Sequence, residues 1–275
     1  MVPTTLPKEQ LEKFRVIKNK FLKKTPLPEV NRWCSMSDNE IWLRVVSQVV
    51  VVGNEAPARR LGDADIQERL AFATLVILPP REAAEALGRV LAEIGTRYVS
   101  KKQPETSRKV KGLLKNLGFL KNYDGGPRGF VKNLSDTKTS RDRIDCISKN
   151  FSFIKAKGAR DFLTTGLGMA TDVIALDSRV MGVVRLIIPG LTDPVNAGNY
   201  DAIEEFLIKH VCKPLRMCAV EFDQLLFRNE LAIKQLLCDA TLVHDGPRLA
   251  ISGSSSCRTG KQPVAARMDR RQGLR

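Results

Sequence analysis

Ser152-Phe-Ile-Lys-Ala-Lys157-Gly-Ala-Arg-Asp-Phe-Leu163, continued past Gly166 and Gly168 by Ala175-Leu-Asp177-Ser-Arg-Val180, decides how this chain is read. Ser140 to Phe151 leads into it as a helix, Lys157 opens a second helix and Asp177 opens a third. The glycines between them let the chain reverse. An amine and a carboxylate at the starts of successive helices can be brought to one point. Together they suit the cleavage of an N-glycosidic bond. The amine attacks a sugar C1′ and holds it as a Schiff base, and the carboxylate supports the positive charge that develops on the ring as the base leaves. Lysines at helix starts and aspartates before helices are also common surface features, so the pair alone does not separate chemistry from a solvated face.

Working outward, Ser37-Asp-Asn-Glu40 has the pattern of a capping box, with Met36 and Ile41 placed as its hydrophobic staple. The helix it starts is apolar nearly all round (Ile41, Trp42, Val45, Val46, Val49 to Val52), which predicts a central, buried position. Lys8 to Lys24 carries Leu11, Phe14, Ile17 and Phe21 at helical spacing and reads as a helix docked on the core, with a DNA-contacting arm as the alternative. Breakers bound further helices: Ala64 to Ile77 before Pro79-Pro80, Arg81 to Ile94 before Gly95, and Thr106 to Asn122 before Tyr123-Asp-Gly-Gly-Pro127. Val183 to Ile188 is β-branched but continues the helix begun after Asp177. No period-two run marks a strand, so the predicted fold class is all-α. The expected organisation is a basic N-terminal segment over 1–30, a helical domain over 31–241, and a tail over 242–275. In that tail Ser252-Gly-Ser-Ser-Ser256 and scattered arginines predict basic disorder.

A chain of 275 residues, 43% hydrophobic, can bury a sizeable core. Lys and Arg number 45 against 30 Asp and Glu, a net charge of +15 that favours a polyanionic partner, nucleic acid first, though a generic basic surface fits as well. No apolar stretch is long enough to span a bilayer and the N-terminus lacks the order of a signal peptide. The chain therefore reads as soluble and intracellular, without a membrane partner, in the cytoplasm or nucleoid if bacterial or archaeal. The six cysteines are scattered, without a paired CxxC, so neither a zinc site nor a disulfide framework is indicated. His210 and His244 sit in no metal or triad pattern, which disfavours a histidine-based hydrolase.

Lys157-Gly-Ala-Arg-Asp-Phe-Leu163 followed by Ala175-Leu-Asp177-Ser-Arg-Val180 resembles the helix-hairpin-helix and Gly/Pro/Asp region of the HhH-GPD DNA glycosylases. It is most similar to the branch of 8-oxoguanine DNA glycosylase/AP lyases. The resemblance extends over roughly residues 30 to 235. It takes in Glu40 to Asn54, Gly95-Thr-Arg-Tyr98, Lys121 to Gly126, Tyr200 to Leu207 and Val220 to Phe227 in the family's order. Two departures stand out. Phe153, Ile154 and Lys155 occupy the hairpin that reads glycine, aliphatic, glycine in the family, and the interval from Lys157 to Asp177 is slightly longer than usual.

The resemblance implies a two-lobed helical fold with a helix-hairpin-helix element and no cofactor or metal. It implies a monomer that binds double-stranded DNA, flips out a damaged base, best an oxidised purine such as 8-oxoguanine, and nicks the strand by β-elimination. Lys157 falls on the Schiff-base lysine and Asp177 on the catalytic aspartate. Asn54, Lys155, Arg160 and Arg179 are the candidate DNA contacts, and Lys155 and Arg160 the cations expected to favour a neutral Lys157. Asn54 serves equally as a helix C-terminal residue after Gly53. Trp33, Trp42, Phe162 and Phe227 are candidates for a base-stacking wall or for core packing. Two other readings stay open: a non-catalytic DNA-binding relative, suggested by the missing hairpin glycines, and a basic all-α RNA-binding or regulatory protein.

Overall fold

The computed structural model describes residues 2–53, 55–193 and 197–244, and helical periodicity governs them throughout: no strand occurs among the described residues. Phe14 and Ile17 bury the inner face of α1 (Lys8–Phe21). The capping box of the next helix forms as the sequence predicts. Ser37 Oγ accepts from the Glu40 N–H at 3.3 Å, and Glu40 Oε2 accepts from the Ser37 N–H at 2.7 Å. It starts α2 (Asp38–Val50), whose Trp42, Val45, Val46 and Val49 are fully buried.

Three short helices follow: α3 (Ala56–Arg60), α4 (Ala64–Arg69) and α5 (Phe72–Leu75). The single helix expected over Ala64 to Ile77 is thus broken at Leu70 and Ala71. Tertiary hydrogen bonds explain the break. The Leu70 carbonyl accepts from the Trp42 indole at 2.9 Å, and Asn39 Oδ1 accepts from the Ala73 N–H at 3.1 Å. Next come α6 (Pro80–Glu93), α7 (Arg108–Lys121) and α8 (Gly126–Ser135). The last of these begins at the Gly-Gly-Pro taken as a breaker, because Pro127 lies in the first helical turn, where its missing N–H costs nothing.

The remaining elements are α9 (Ser140–Asn150), α10 (Ala156–Asp161), α11 (Ser178–Ile187), α12 (Ala197–Leu207), α13 (Ala219–Arg228) and α14 (Glu230–His244). α14 runs past the boundary drawn at residue 242. Residues 245–275, on which most of the expected disordered tail falls, lie outside the described residues. Described residues up to Leu237 form one compact unit, and Cys238 onward a second. Among the described residues no helix is long and apolar enough to cross a membrane.

Two hydrophobic clusters make two lobes within the larger unit. One gathers residues of α2 and α4 to α10, including Trp42, Leu87, Leu113, Phe130, Ile147 and Phe162. The other gathers α1 with residues from Ile174 onward, including Phe14, Val184, Leu207 and Phe222. Phe14 packs on Phe222 with ring centroids 5.7 Å apart. The chain crosses from one lobe to the other at Val173 and Ile174.

The α9–α10 hairpin keeps its turn without glycine. Phe153 takes the left-handed conformation at φ 67, and Ile154 is fully buried. Asn116 of α7 holds the turn from behind: its Nδ2 donates to Ser152 O at 3.1 Å and its Oδ1 accepts from Ser152 N–H at 2.7 Å. After α10 the helix widens into a π turn, Phe162–Gly166, closed by Leu167 N–H to Phe162 O at 2.8 Å. A π turn takes up one residue more than an α turn, which accommodates a longer interval before Asp177.

Gly168 is the point of closest approach in this return. It has φ 62, and an added Cβ would lie 1.9 Å from the Glu29 carbonyl oxygen. Its own carbonyl accepts from Asn31 N–H at 2.8 Å. Gly168→Ala is therefore expected to cost at least about 2 kcal/mol, combining left-handed strain of about 1–2 kcal/mol with displacement of the Glu29 backbone. Urea titration checks this, and an unchanged midpoint would show that the segment yields freely.

Candidate active site

Lys157 sits half-buried in the first turn of α10, and Asp177 is the N-cap of α11. Asp177 Oδ1 accepts from the N–H groups of Arg179 and Val180, both at 2.9 Å, so the start of α11 fixes the carboxylate. The extended residues before it are held from α12. Glu204 Oε1 accepts from the Ile174 N–H at 2.7 Å, and the Tyr200 hydroxyl accepts from the Leu176 N–H at 2.5 Å and donates to Ile174 O at 3.0 Å.

Arg160 completes this frame. Its Nε donates to both Glu204 oxygens at 3.0 Å, its Nη2 to Asp201 Oδ1 at 2.8 Å and its Nη1 to Ala156 O at 3.1 Å. The guanidinium also stacks 4.1 Å from the Tyr200 ring centroid. Burial works against its charge, but the bonds to Glu204 and Asp201 outweigh it and hold Arg160 above its ordinary value. Burial likewise pushes the Tyr200 hydroxyl upward, so the phenol stays protonated.

Lys157 and Asp177 line one cleft of about 480 Å³ together with Asp161, Thr165, Asp223, Gln224, Phe227, Arg228, Glu55 and Arg59. Asp161 is engaged on both oxygens: Gln48 Nε2 donates to Oδ2 at 2.7 Å and Thr165 Oγ1 to Oδ1 at 2.5 Å. Asp223 of α13 is 3% exposed and accepts from Gln224 Nε2 at 3.0 Å. Burial pushes its carboxyl up to about 7. The Gln224 bond and the Lys157 charge oppose the shift, and Asp161 and Asp177 add to it. Burial also raises Asp177, against the Val180 N–H and Lys157.

No protein-family model and no curated protein matches the chain. Solved structures do. The 8-oxoguanine DNA glycosylase of Methanocaldococcus jannaschii is similar at a TM-score of 0.57 and 15% identity, over 79% of this chain and 91% of that one. The 8-oxoguanine DNA glycosylase of Thermotoga maritima gives 0.54 and 21%, over 79% and 92%. The M. jannaschii 8-oxoguanine glycosylase/lyase in complex with a 15mer DNA containing 8-oxoguanine gives 0.54 and 14%, over 79% and 95%. The chain has the fold of the 8-oxoguanine DNA glycosylases.

Within this glycosylase fold the sequence-derived candidates separate. Lys157 and Asp177 share the cleft. Arg160 does not reach a phosphate: it is 1% exposed and saturated by Glu204 and Asp201, so the reading of it as a DNA contact is corrected to a structural one. Its charge is likewise spent on those carboxylates and does not act as a free cation beside Lys157. Lys155 is exposed, with Nζ 3.4 Å from Ser148 O. Arg179 pairs with Glu55, lies 4.0 Å from Glu230 and stacks 4.6 Å from the Phe227 ring centroid. Asn54 lies outside the described residues.

Of the four aromatics, Phe227 alone lines the cleft; Trp42 and Phe162 are fully buried, and Trp33 lines a separate cavity with Arg128 and Lys132. Sequence reasoning passed over Asp161 and Asp223. The signal was present in α13, where an aspartate interrupts Val220, Phe222, Leu225 and Leu226, all buried. A carboxylate within so apolar a helix needs a partner or a task.

Two outcomes are expected. Arg160→Leu leaves Glu204 buried without its partner and costs about 3–5 kcal/mol, read as a lower Tm, since removing one member of a buried pair exposes the other's desolvation cost. An unchanged Tm would contradict that role. For Asp223, the folded-state value lies above the ordinary 3.8, so folding favours the protonated form and stability falls as pH rises from about 4 to about 7. Asp223→Asn should therefore raise Tm at pH above about 7 and leave it unchanged below about 4. Equal effects at both ends would contradict burial as the cause.

Proposed function

We propose that the protein is a DNA glycosylase that removes a damaged base from double-stranded DNA as a monomer. The observation that carries this reading is a half-buried lysine and an N-cap aspartate facing one cleft within a glycosylase fold. A flipped nucleotide enters the cleft, and the Phe227 ring offers its base a stacking surface. The Lys157 amine attacks C1′ as the base leaves. Asp177, fixed by two backbone N–H groups, supports the positive charge on the sugar. The Schiff base then permits β-elimination and strand nicking, the lyase half of the activity. The best substrate is an oxidised purine, with 8-oxoguanine the first lesion to test. This follows the name of the structural neighbours and the sequence resemblance, which point the same way.

The net charge of +15 supports phosphate-dominated binding, with affinity falling as salt rises. Lys155, exposed at the hairpin, and Arg59 and Arg228 at the cleft are the cations best situated for the DNA backbone. The left-handed Phe153 preserves the hairpin's turn geometry, which favours a working DNA contact over a decayed one.

Borohydride trapping on a duplex containing 8-oxoguanine tests the reading. Wild type should become covalently linked and nick the strand. Lys157→Gln should do neither while retaining salt-dependent binding, and Asp177→Asn should slow base release by about 10² to 10³. Trapping that persists in Lys157→Gln would place the nucleophile elsewhere. A wild type that binds duplexes without trapping on any lesion would assign the chain to non-catalytic DNA binding.

A further inference from the structure

The cleft holds one lysine among three aspartates, and a lysine must shed a proton before it can attack carbon. Negative neighbours stabilise an ammonium, so the proton needs a specific destination. Asp177 accepts twice on Oδ1 as the N-cap of α11, and although no hydrogen bond to its Oδ2 is made among the described residues, its proposed task of supporting the charged sugar requires it to stay ionised. Both oxygens of Asp161 are occupied by Gln48 and Thr165. Asp223 accepts only on Oδ2, from Gln224; no hydrogen bond to its Oδ1 is made among the described residues. It is also the most deeply buried of the three, where gaining a proton relieves the desolvation of its charge.

We propose that Asp223 is the proton acceptor for Lys157, the group that frees the amine for attack on the sugar. The inference rests on Lys157 being the nucleophile. An Nζ–H bond breaks and an O–H bond forms on Asp223. The nitrogen lone pair makes the N–C1′ bond as the C1′–base bond breaks, and the base leaves with the electron pair of that broken bond and takes a proton from water. Lys157 and Asp161 of α10, Asp177 ahead of α11 and Tyr200 of α12 act on Asp223 electrostatically, and Glu55 and Arg59 line the same cleft; Gln224 and Arg228 flank it on α13, with Arg228 Nε donating to Gln224 Oε1 at 2.9 Å. Asp161 and Asp177 disfavour a third negative charge there, and Lys157 favours it. With its carboxyl pushed up to about 7, Asp223 is balanced to accept and release a proton near neutrality.

The test is single-turnover base release from an 8-oxoguanine duplex, with borohydride trapping in parallel, on the full chain between about pH 5.5 and 9.5. Wild type should lose rate about tenfold per pH unit below about 7 and level off above it. Asp223→Asn should be about 10²-fold slower at pH 7, with the deficit closing toward alkaline pH as hydroxide takes over the proton transfer, and duplex affinity unchanged. A wild-type rate flat across the acid range overturns the proposal without any variant being needed. An Asp223→Asn deficit equal at every pH, or no deficit, overturns it too. Trapping that depends on Lys157 beside an unaltered Asp223→Asn profile sinks this inference and leaves the nucleophile standing. Trapping that survives Lys157→Gln, or no trapping by wild type, sinks both.

Discussion

The buried guanidinium of Arg160 is the strut on which the active-site geometry depends. It leaves α10 one turn after Lys157 and is gripped by Glu204 and Asp201 of α12. The same Glu204 and the neighbouring Tyr200 hold the backbone from Ile174 to Leu176, and so deliver Asp177 to the start of α11. Lys157 and Asp177 are thus referenced to one set of hydrogen bonds although they lie in different lobes. A charged network this deep adds little net stability over an apolar replacement, but it fixes position, because each donor and acceptor has one satisfactory partner. Loose packing of aliphatic side chains would leave the lysine and the aspartate free to drift.

The hairpin turn needs a left-handed residue, and Phe153 supplies it at φ 67 where glycine would do so without strain. Room for its ring comes from the facing helix. A Cβ on Gly112 of α7 would lie 2.5 Å from the Phe153 ring, so the ring seats against a helix stripped of its side chain. Asn116, one turn further along α7, bonds both polar groups of Ser152. Packing and a paired amide over-determine the turn, which is the condition under which a strained residue persists.

Electrostatics in the cleft divides three similar aspartates by environment. One caps a helix, one is satisfied by side chains, and one is buried with little to hold its charge. Burial raises both Asp177 and Asp223, a consequence of surroundings and not of residue type. Glu55 and Arg179 pair near the opening, where Arg179 also covers Phe227. Entry of a ligand to the Phe227 face therefore competes with an existing stack.

The all-α class, the capping box of α2, the buried face around Trp42 and the docked α1 were legible from the sequence, because each follows from local spacing and apolar periodicity. Lys157 and Asp177 stood out through the resemblance of their segment rather than through spacing, since helix starts alone do not separate chemistry from a solvated face; the fold sets both on one cleft. What lay beyond local reading was everything set by partners distant in sequence. The break between α4 and α5 depends on the Trp42 indole and Asn39, roughly thirty residues upstream. Arg160 reads as one more exposed cation in a basic chain until Glu204, 44 positions away, is seen to bury it. Asp223 reads as a helix residue until the fold sets it beside Asp161, Asp177 and Lys157. Periodicity decides which face of a helix turns inward, but the dielectric and the neighbours that a charged group meets there are properties of the assembled lobes, and only the tertiary structure decided them.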